Sequence, residues 1–277
     1  MSLHASALGK PSDYRDRYAP ELLFPVPRAD KRSELGLSPG QPLPFFGEDL
    51  WNAYELSWLD RRGKPVVALA EFRVPAASPN LIESKSFKLY LNAFNQERID
   101  DPAALGAILQ RDLSAAAGAP VGVALMPLND APQRVLAKPP GELLDTLDID
   151  IDTYTPAPHL LLADATGSAI EETLHSHLLK SNCLVTGQPD WGTVIVRYRG
   201  PRIDRAGLLR YIVSFRQHHE FHEQCVERLF CDIHARCRPE RLEVWARYTR
   251  RGGLDINPWR ASHADAVAPD NHAEVRQ

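Results

Sequence analysis

The chain has 277 residues, of which 44% are hydrophobic and 25% are charged, a composition typical of a globular protein that buries a full core. Its formal net charge is -4 at pH 7, with a pI near 6.2. Because binding to a phosphate backbone depends on clustered Lys and Arg, this charge argues against direct nucleic-acid binding. The apolar runs are too short to span a bilayer, so we expect no membrane partner.

The N-terminal sequence lacks the charged-then-apolar pattern of a secretory signal peptide. This predicts a cytoplasmic protein, in which thiols stay reduced. The cysteines all fall in the second half of the chain, and they are Cys183, Cys225, Cys231 and Cys237. Each thiol is therefore a candidate for inert packing, for metal binding or for nucleophilic attack.

The first half of the chain predicts an extended arm and then the order strand, strand, helix, helix, strand. Residues 1–46 are rich in proline and charge and form the predicted arm. The runs 51–60 and 65–75 flank a glycine-containing turn and predict a β-hairpin. Apolar residues at helical spacing predict a helix in 83–96. An Asp-Pro start and a closing glycine predict a second helix in 100–118, and the segment PVGVALMPL predicts a strand.

The second half predicts the same order of elements. Residues 169–184 and 191–200 form a predicted hairpin around the turn TGQPDWG. The segments 203–217 and 221–237 predict a pair of helices, and 240–250 predicts a strand.

An internal repeat accounts for this similarity. Aligning residues 88–96 with 209–217 superimposes Tyr90 on Tyr211 and also matches a phenylalanine and a glutamine. Together with the shared element order, these identities predict a duplication. The predicted domains are an arm at 1–46, a first module at 47–145 and a second module at 146–277.

The segment SNCLVTGQPDWG contains a candidate nucleophile and a candidate acid. Cys183 precedes a turn with Gly187 and Pro189, and Asp190 follows that turn. A turn of this kind can fold Asp190 back toward the sulfur. Spacing alone, however, favours a small packed cysteine beside an ordinary turn aspartate.

The segment HHEFHEQCVERLFCDIHARC raises the question of a metal site. His218 and His222 are four residues apart, as are His219 and Glu223, so each pair would share one face of a helix. A zinc site needs three or four converging ligands, and the segment has neither a CxxC pair nor an HExxH order. We therefore predict packed cysteines and solvated histidines here, and no metal.

Two segments are candidates for binding phosphate. Lys85 and Lys88 would form a cationic rim on the first turns of a helix, and residues 250–253 add two arginines and a flexible glycine pair. The lysine pair alone is better explained as a solvated surface, and residues 250–253 are only weakly consistent with phosphate binding. Because no GxGxxG follows a strand, a Rossmann unit is not predicted.

Taken together, these segments resemble the 7-cyano-7-deazaguanine reductase family in its long, two-module form. The resemblance runs from about residue 40 to 260. It is carried by ESKSFKLY (83–90), CLVTGQPD (183–190), FHE (221–223) and RRGGLDINP (250–258).

The resemblance implies an α+β fold of two tandem tunnelling-fold (T-fold) modules, each an antiparallel sheet backed by two antiparallel helices. Relatives of that fold bind purine-like rings and pair their sheets into barrels, so we expect at least a homodimer. The implied reaction is reduction of the nitrile of 7-cyano-7-deazaguanine to an amine by two NADPH, on the pathway to the tRNA base queuosine.

The resemblance also implies roles for individual residues. Cys183 is the implied nucleophile that forms a covalent thioimide, Asp190 the general acid, and His222 a group that positions substrate or moves protons. The implied substrate-binding residues are Ile82, Glu83, Ser84, Phe221, His222 and Glu223. The implied NADPH-binding residues are Ser84, Lys85, Arg251 and Gly252.

These assignments imply one active site that draws on both halves of the chain. Two alternatives stay open on the sequence alone. The first is a cyclohydrolase-like zinc enzyme on the same fold, and the second is a non-catalytic purine-binding module in which Cys183 is dispensable.

Overall fold

The structure, a computed structural model, describes residues 14–131 and 136–277. The described residues combine sheets and helices in a mixed α+β fold. Among them, no helix is long and apolar enough to cross a membrane. The start of the predicted arm, residues 1–13, lies outside the described residues. The rest of the chain forms two compact units, of which the first comprises 14–39, 48–131 and 250–256 and the second 40–47, 136–249 and 257–277.

The first unit is a small antiparallel sheet with two main helices. Its strands β2 (Phe46–Leu59), β3 (Pro65–Pro75) and β5 (Gly122–Pro127) lie in the order β5-β3-β2, and β1 (Pro25–Pro27) pairs with β4 (Asn80–Ile82). The helices are α1 (Arg28–Ser33), α2 (Ser84–Asn92) and α3 (Pro102–Ala117). The order β2, β3, α2, α3, β5 confirms the predicted strand, strand, helix, helix, strand, whereas β1 and β4 were not predicted.

Local sequence explains where α3 begins and ends. The Asp101 side chain accepts a hydrogen bond from the Ala104 N–H at 2.8 Å and so caps the first turn. Gly118 ends the helix in the left-handed conformation at φ 71°. The leucines at 105, 109 and 113 recur on one face and are fully buried in a core that also holds Trp51 and Phe72.

The second unit has a larger sheet in the order β12-β11-β9-β8-β6, in which only β6 runs parallel to its neighbour. The predicted hairpin, paired helices and following strand are confirmed, whereas β6, β7, β10 and β12 were not predicted. Leu254–Ile256 of β12 are grouped with the first unit. The elements are β6 (Glu142–Leu143), β7 (Ala163–Asp164), β8 (Ile170–Asn182), β9 (Pro189–Gly200), β10 (Arg202–Ile203), α4 (Arg205–Ser214), α5 (His222–Cys237), β11 (Arg241–Tyr248) and β12 (Leu254–Ala261).

The residues that the internal repeat aligns contact the same types of residue in each unit. Tyr90 donates a hydrogen bond to Asp112 at 2.7 Å, and Tyr211 donates one to Asp232 at 2.5 Å. Each tyrosine ring also packs edge-on against the phenylalanine four residues later, with centroids 5.3 and 5.4 Å apart. The repeat in sequence is thus a repeat in side-chain contacts.

One segment from late in the chain, residues 250–256, belongs to the first unit. There Asp255 accepts hydrogen bonds from Asn52 at 2.7 Å and from Tyr54 at 2.5 Å. Pairing between residues some 200 positions apart in sequence therefore decides where this segment lies.

Candidate active site

Cys183 opens the loop, residues 183–188, that joins β8 to β9. Its N–H donates to the carbonyl of Gln188 at 2.8 Å, and the Gly187 N–H donates to the carbonyl of Cys183 at 3.0 Å. Gly187 has φ 67°, a conformation that favours glycine. The Cys183 side chain is buried, at 4% exposure. These backbone hydrogen bonds close the loop and fix the position of Cys183.

Asp190 lies in strand β9, not in the turn where the sequence suggested it. It pairs with Ser181 of β8 and is 6% exposed. Cross-strand partners share a face of the sheet, and so do residues two apart on one strand. The Cys183 N–H also bonds to the Gln188 carbonyl, and continuing the strand register through that bond puts Cys183 diagonally across from Asp190, where Cα atoms are roughly 7–8 Å apart. Strand pairing, rather than a turn, brings Asp190 toward Cys183.

His222 is the first residue of α5 and lies beside Asp190, with Nε2 3.8 Å from Oδ1. Its ring meets the ring of Tyr248 nearly at right angles, with centroids 4.1 Å apart. Since the helix begins at His222, His218 and His219 precede it. His218 and His219 therefore do not share a helix face with His222 and Glu223, an arrangement that the four-residue spacing allowed.

The other two predicted substrate residues of this segment flank His222. Phe221 is the residue before the helix, and its carbonyl accepts the N–H of Cys225 at 2.9 Å. Phe221 is 7% exposed and Glu223 is 2% exposed. An aromatic ring, an imidazole and a carboxyl group are therefore gathered at the N-terminal end of α5.

A buried ionic network anchors the end of β8 just before Cys183. Glu220 bonds to the ring of His218 at 2.7 Å and to Arg228 at 3.1 and 3.2 Å. Burial raises the pKa of Glu220, but the hydrogen bonds from His218 and Arg228 outweigh it and lower that pKa below its usual value. The Asn182 backbone bonds to the carbonyl of His218 and to the N–H of Glu220. The network thereby fixes the residue that precedes Cys183.

Among the described residues, the ligand atoms of His218, Glu220 and Cys225 lie within 4.8 Å of one another. A metal there would compete with Arg228, which already bonds to the carboxylate of Glu220. Burial also raises the pKa of the Cys225 thiol well above its usual value, whereas a metal ligand must be a thiolate. The chemistry of this group favours a hydrogen-bonded network over a zinc centre.

In the first unit, Glu83 caps helix α2. Its two carboxylate oxygens accept the N–H groups of Lys85 at 2.7 Å and Ser86 at 2.9 Å. Glu83 is fully buried and Ile82, the end of β4, is nearly so. Burial raises the pKa of Glu83, and the backbone hydrogen bonds oppose that rise. Since a carboxylate has about four acceptor positions, capping leaves Glu83 able to accept further hydrogen bonds.

The glycine pair at 252–253 forms a tight turn rather than the flexible segment that was predicted. Gly252 and Gly253 have φ 61° and 79°, as a type I′ turn requires. The Arg251 N–H donates to the carbonyl of Leu254 at 2.8 Å. A Cβ atom at Gly252 would lie 2.8 Å from Nζ of Lys88, so this turn lies directly against α2.

The predicted cofactor residues fit a group that carries phosphates. Ser84 and Lys85 open α2, and Arg251 and Gly252 belong to the turn beside it. They offer a hydroxyl, two cations and a position without a side chain. Because Glu83 already accepts the Lys85 and Ser86 N–H groups, a phosphate here would depend on side chains rather than on the helix terminus.

Comparison with known proteins places the chain in a family. A family model described as "Nitrile reductase, 7-cyano-7-deazaguanine-reductase N-term" matches residues 14–125, and one described as "QueF-like protein" matches residues 189–267. A protein of Azoarcus sp. (strain BH72), named NADPH-dependent 7-cyano-7-deazaguanine reductase, is 68% identical over 99% of this chain and 96% of its own length. The chain belongs to the 7-cyano-7-deazaguanine reductase family.

Other members of the reductase family are almost as similar. Proteins with the same name from Dechloromonas aromatica (strain RCB) and Cupriavidus necator are 66% and 59% identical. The first covers 99% of this chain and 96% of its own length, and the second covers 98% of both. The crystal structure of the archaeosine synthase QueF-Like in the apo form matches 36% of this chain and 98% of its own, at 18% identity and a TM-score of 0.31.

In this member of the reductase family, the sequence indicated the candidate residues near Cys183 and those near Glu83. It did not indicate which residues surround them. Nothing in the local sequence marks Tyr248, whose ring packs against His222, or Gly192, its partner in β9. Tyr248 is one of several buried aromatic residues in a strand, and Gly192 looks like part of a turn. Only the register between β9 and β11 reveals that the two are opposite each other.

Proposed function

We propose that this chain reduces the nitrile of 7-cyano-7-deazaguanine to the primary amine of 7-aminomethyl-7-deazaguanine, with NADPH as reductant. Membership of the reductase family supports the substrate and the cofactor. The observation that carries the mechanism is the pairing of Asp190 with Ser181, two residues before Cys183, together with the distance of 3.8 Å between His222 and Asp190. A thiol, an acid and an imidazole so placed suit addition to a nitrile.

In the first step, Cys183 gives up its thiol proton, which His222 takes and passes on to Asp190, and the sulfur forms a bond to the nitrile carbon. A π-electron pair of the triple bond moves to nitrogen, and Asp190 donates its proton there, which gives a covalent thioimide. His222, beside Asp190, is placed to hold that carboxyl group in position and to return a proton to it.

The remaining steps convert the thioimide to the amine. NADPH supplies two hydrides, one from each of two molecules. Ser84, Lys85, Arg251 and Gly252 are the residues that we propose to hold it, with the cations facing its phosphates. Between the reductions the carbon–sulfur bond breaks and its electron pair stays on Cys183, which frees the thiol for another turnover.

Carboxylates and one aromatic ring are proposed to bind the substrate ring. Glu83 and Glu223 would accept hydrogen bonds from its amino group and ring N–H, because a carboxylate is an acceptor. Phe221 would stack on the flat ring, and Ile82 would pack against it. Since both glutamates are buried, a bound ring would pair with them away from competing water.

The direct test of the function is NADPH oxidation by the purified chain with and without 7-cyano-7-deazaguanine. We expect oxidation only with the nitrile, two NADPH consumed per amine formed, and an adduct whose absorbance appears without NADPH. Binding without oxidation or adduct would identify a purine-binding module instead. Activity that requires added zinc and no NADPH would identify a cyclohydrolase-like enzyme.

We also propose that both units are tunnelling-fold modules and that the chain forms at least a homodimer. The support is the repeated order of elements and the Tyr–Asp hydrogen bond that recurs in each unit. Sedimentation of the purified protein tests the assembly, and a monomer at assay concentrations would contradict it.

Substitution of Glu83 by leucine is expected to weaken binding of 7-cyano-7-deazaguanine by about tenfold to a few hundredfold, because an unpaired ring edge costs roughly 1–3 kcal/mol. Calorimetric titration measures the affinity. Alkylation of Cys183 by a small reagent should keep its rate, since the β8–β9 loop is unchanged.

A control is needed because Glu83 also caps α2, and loss of a cap costs about 0.5–2 kcal/mol of stability. Asp101→Ala removes the cap of α3 in the same unit and supplies that control. We expect Asp101→Ala to lower the unfolding temperature and to leave substrate affinity unchanged. Unchanged affinity in Glu83→Leu, or an equal loss in Asp101→Ala, would contradict a role in recognition.

Substitution of Lys85 by methionine is expected to weaken NADPH binding by roughly tenfold to a hundredfold, the worth of a hydrogen bond to a charged group. The salt dependence of KM for NADPH should also fall, because one screened charge is lost. Lys64→Met, in the exposed turn between β2 and β3, is the matched control and should change neither. Equal KM values for NADPH in Lys85→Met and wild type would remove Lys85 from the cofactor site.

A further inference from the structure

Tyr248 is a fully buried residue next to the proposed catalytic group and has no role in the mechanism described above. It ends strand β11 and pairs with Gly192 of β9. Asp190 is two residues before Gly192, so Asp190 and the partner of Tyr248 lie on the same face of β9. The Tyr248 ring meets the ring of His222 at 84°, with the centroids 4.1 Å apart.

Gly192 provides the space in which the Tyr248 ring lies. A Cβ atom at position 192 would be 3.1 Å from Cδ1 and 3.3 Å from Cε1 of Tyr248. The same atom would be 3.3 Å from the carbonyl oxygen of Arg247. These distances are shorter than ordinary van der Waals contacts, so a side chain at position 192 would require the Tyr248 ring to shift by a few tenths of an ångström. The ring is therefore confined between the backbone of β9 and the imidazole of His222.

The hydroxyl of Tyr248 lies beside Ser181, the partner of Asp190, and beside Cys225. Burial raises the pKa of Tyr248 well above its usual value, and the nearby Cys225 and Asp190 add to that rise, so the phenol stays neutral. The contact of Tyr248 with His222 is made between the two rings.

We propose that Tyr248 is a positioning residue whose ring, held over Gly192, fixes the imidazole of His222 beside Asp190. An edge-to-face ring pair is worth about 0.5–1.5 kcal/mol beyond the area it buries. Without the ring, the His222 side chain gains rotamers in which it turns away from Asp190. The effect on rate rests on the proposed function, whereas the ring contact itself does not.

Two readouts test this inference. In protein labelled with ¹³C-histidine, the His222 ring signals, assigned with His222→Ala, report the ring current of Tyr248. We expect those signals to change in Tyr248→Leu and to be restored toward wild type in Tyr248→Phe. The rate of adduct formation should fall roughly tenfold or more in Tyr248→Leu, and Tyr248→Phe should rescue most of it.

A double-mutant cycle separates positioning from general destabilisation. Because Tyr248 acts through His222, Tyr248→Leu should have almost no further effect on the rate in a His222→Ala background. Gly192→Ala as a single variant would displace the Tyr248 ring. We expect it to shift the His222 signals and to lower the rate of adduct formation. Tyr198→Leu, at a buried tyrosine that bonds Glu172 instead, controls for the loss of a large ring and should leave the His222 signals unchanged.

Several outcomes would overturn the proposal. Unchanged His222 signals in Tyr248→Leu would disprove the contact, and fully additive rate losses in the double variant would disprove action through His222. A Tyr248→Phe enzyme as slow as Tyr248→Leu would assign the role to the hydroxyl instead. If wild type forms no adduct, the proposed function fails, but the histidine signals still decide whether the ring holds His222.

Discussion

Replacement of Cys183 by alanine is expected to abolish nitrile reduction and to remove the covalent adduct. A nitrile carbon is a weak electrophile, and covalent capture divides one difficult step into easier ones. Alanine has no atom to make that bond, and the small, buried site at the start of the β8–β9 loop should keep its backbone hydrogen bonds. Intact-mass spectrometry after incubation with 7-cyano-7-deazaguanine measures the adduct, and NADPH oxidation measures turnover.

The remaining cysteines serve as controls, since all of them lie on α5. Cys231→Ala, at a partly exposed position, should leave turnover and the adduct unchanged. Cys225→Ala and Cys237→Ala empty buried positions, so we expect a lower unfolding temperature with activity largely kept. Nitrile reduction by Cys183→Ala, or an inactive Cys225→Ala that still folds, would show that the nucleophile has been misassigned.

Replacement of Asp190 by asparagine is expected to lower the rate on the order of a hundredfold or more, the usual effect of losing a general acid. Asparagine keeps the shape of the side chain opposite Ser181 but has no acidic proton to donate. The unfolding temperature should barely move, because the strand pairing is unchanged. Single-turnover measurement of adduct formation with excess enzyme isolates the affected step.

Asp232→Asn is a matched control for loss of a partly buried carboxylate in the same unit. Asp232 accepts a hydrogen bond from Tyr211 and lies ten residues along α5 from His222, roughly 15 Å away. We expect Asp232→Asn to lower stability and to keep the rate of adduct formation. A near-normal rate in Asp190→Asn would transfer the role of acid to His222 or to water.

The sequence alone determined the local elements and the types of residue that carry chemistry. Alternating and helical periodicities predicted the hairpins and paired helices of both units, and Asp101 with Gly118 marked the ends of α3. These patterns can be recognised in the sequence because each depends on residues within one turn or one strand. For the same reason, the ESKSFKLY segment and the Cys183 loop are recognisable from their residues alone.

Only the tertiary structure decided which of those residues meet. Asp190 faces the thiol through its pairing with Ser181 across β8 and β9, and Tyr248 reaches His222 because it lies opposite Gly192. Residues 250–256 join the first unit through hydrogen bonds to Asn52 and Tyr54. Strand register and long-range pairing depend on the packing of the whole sheet, because each backbone group must find a partner outside its own segment. Local patterns do not contain that information.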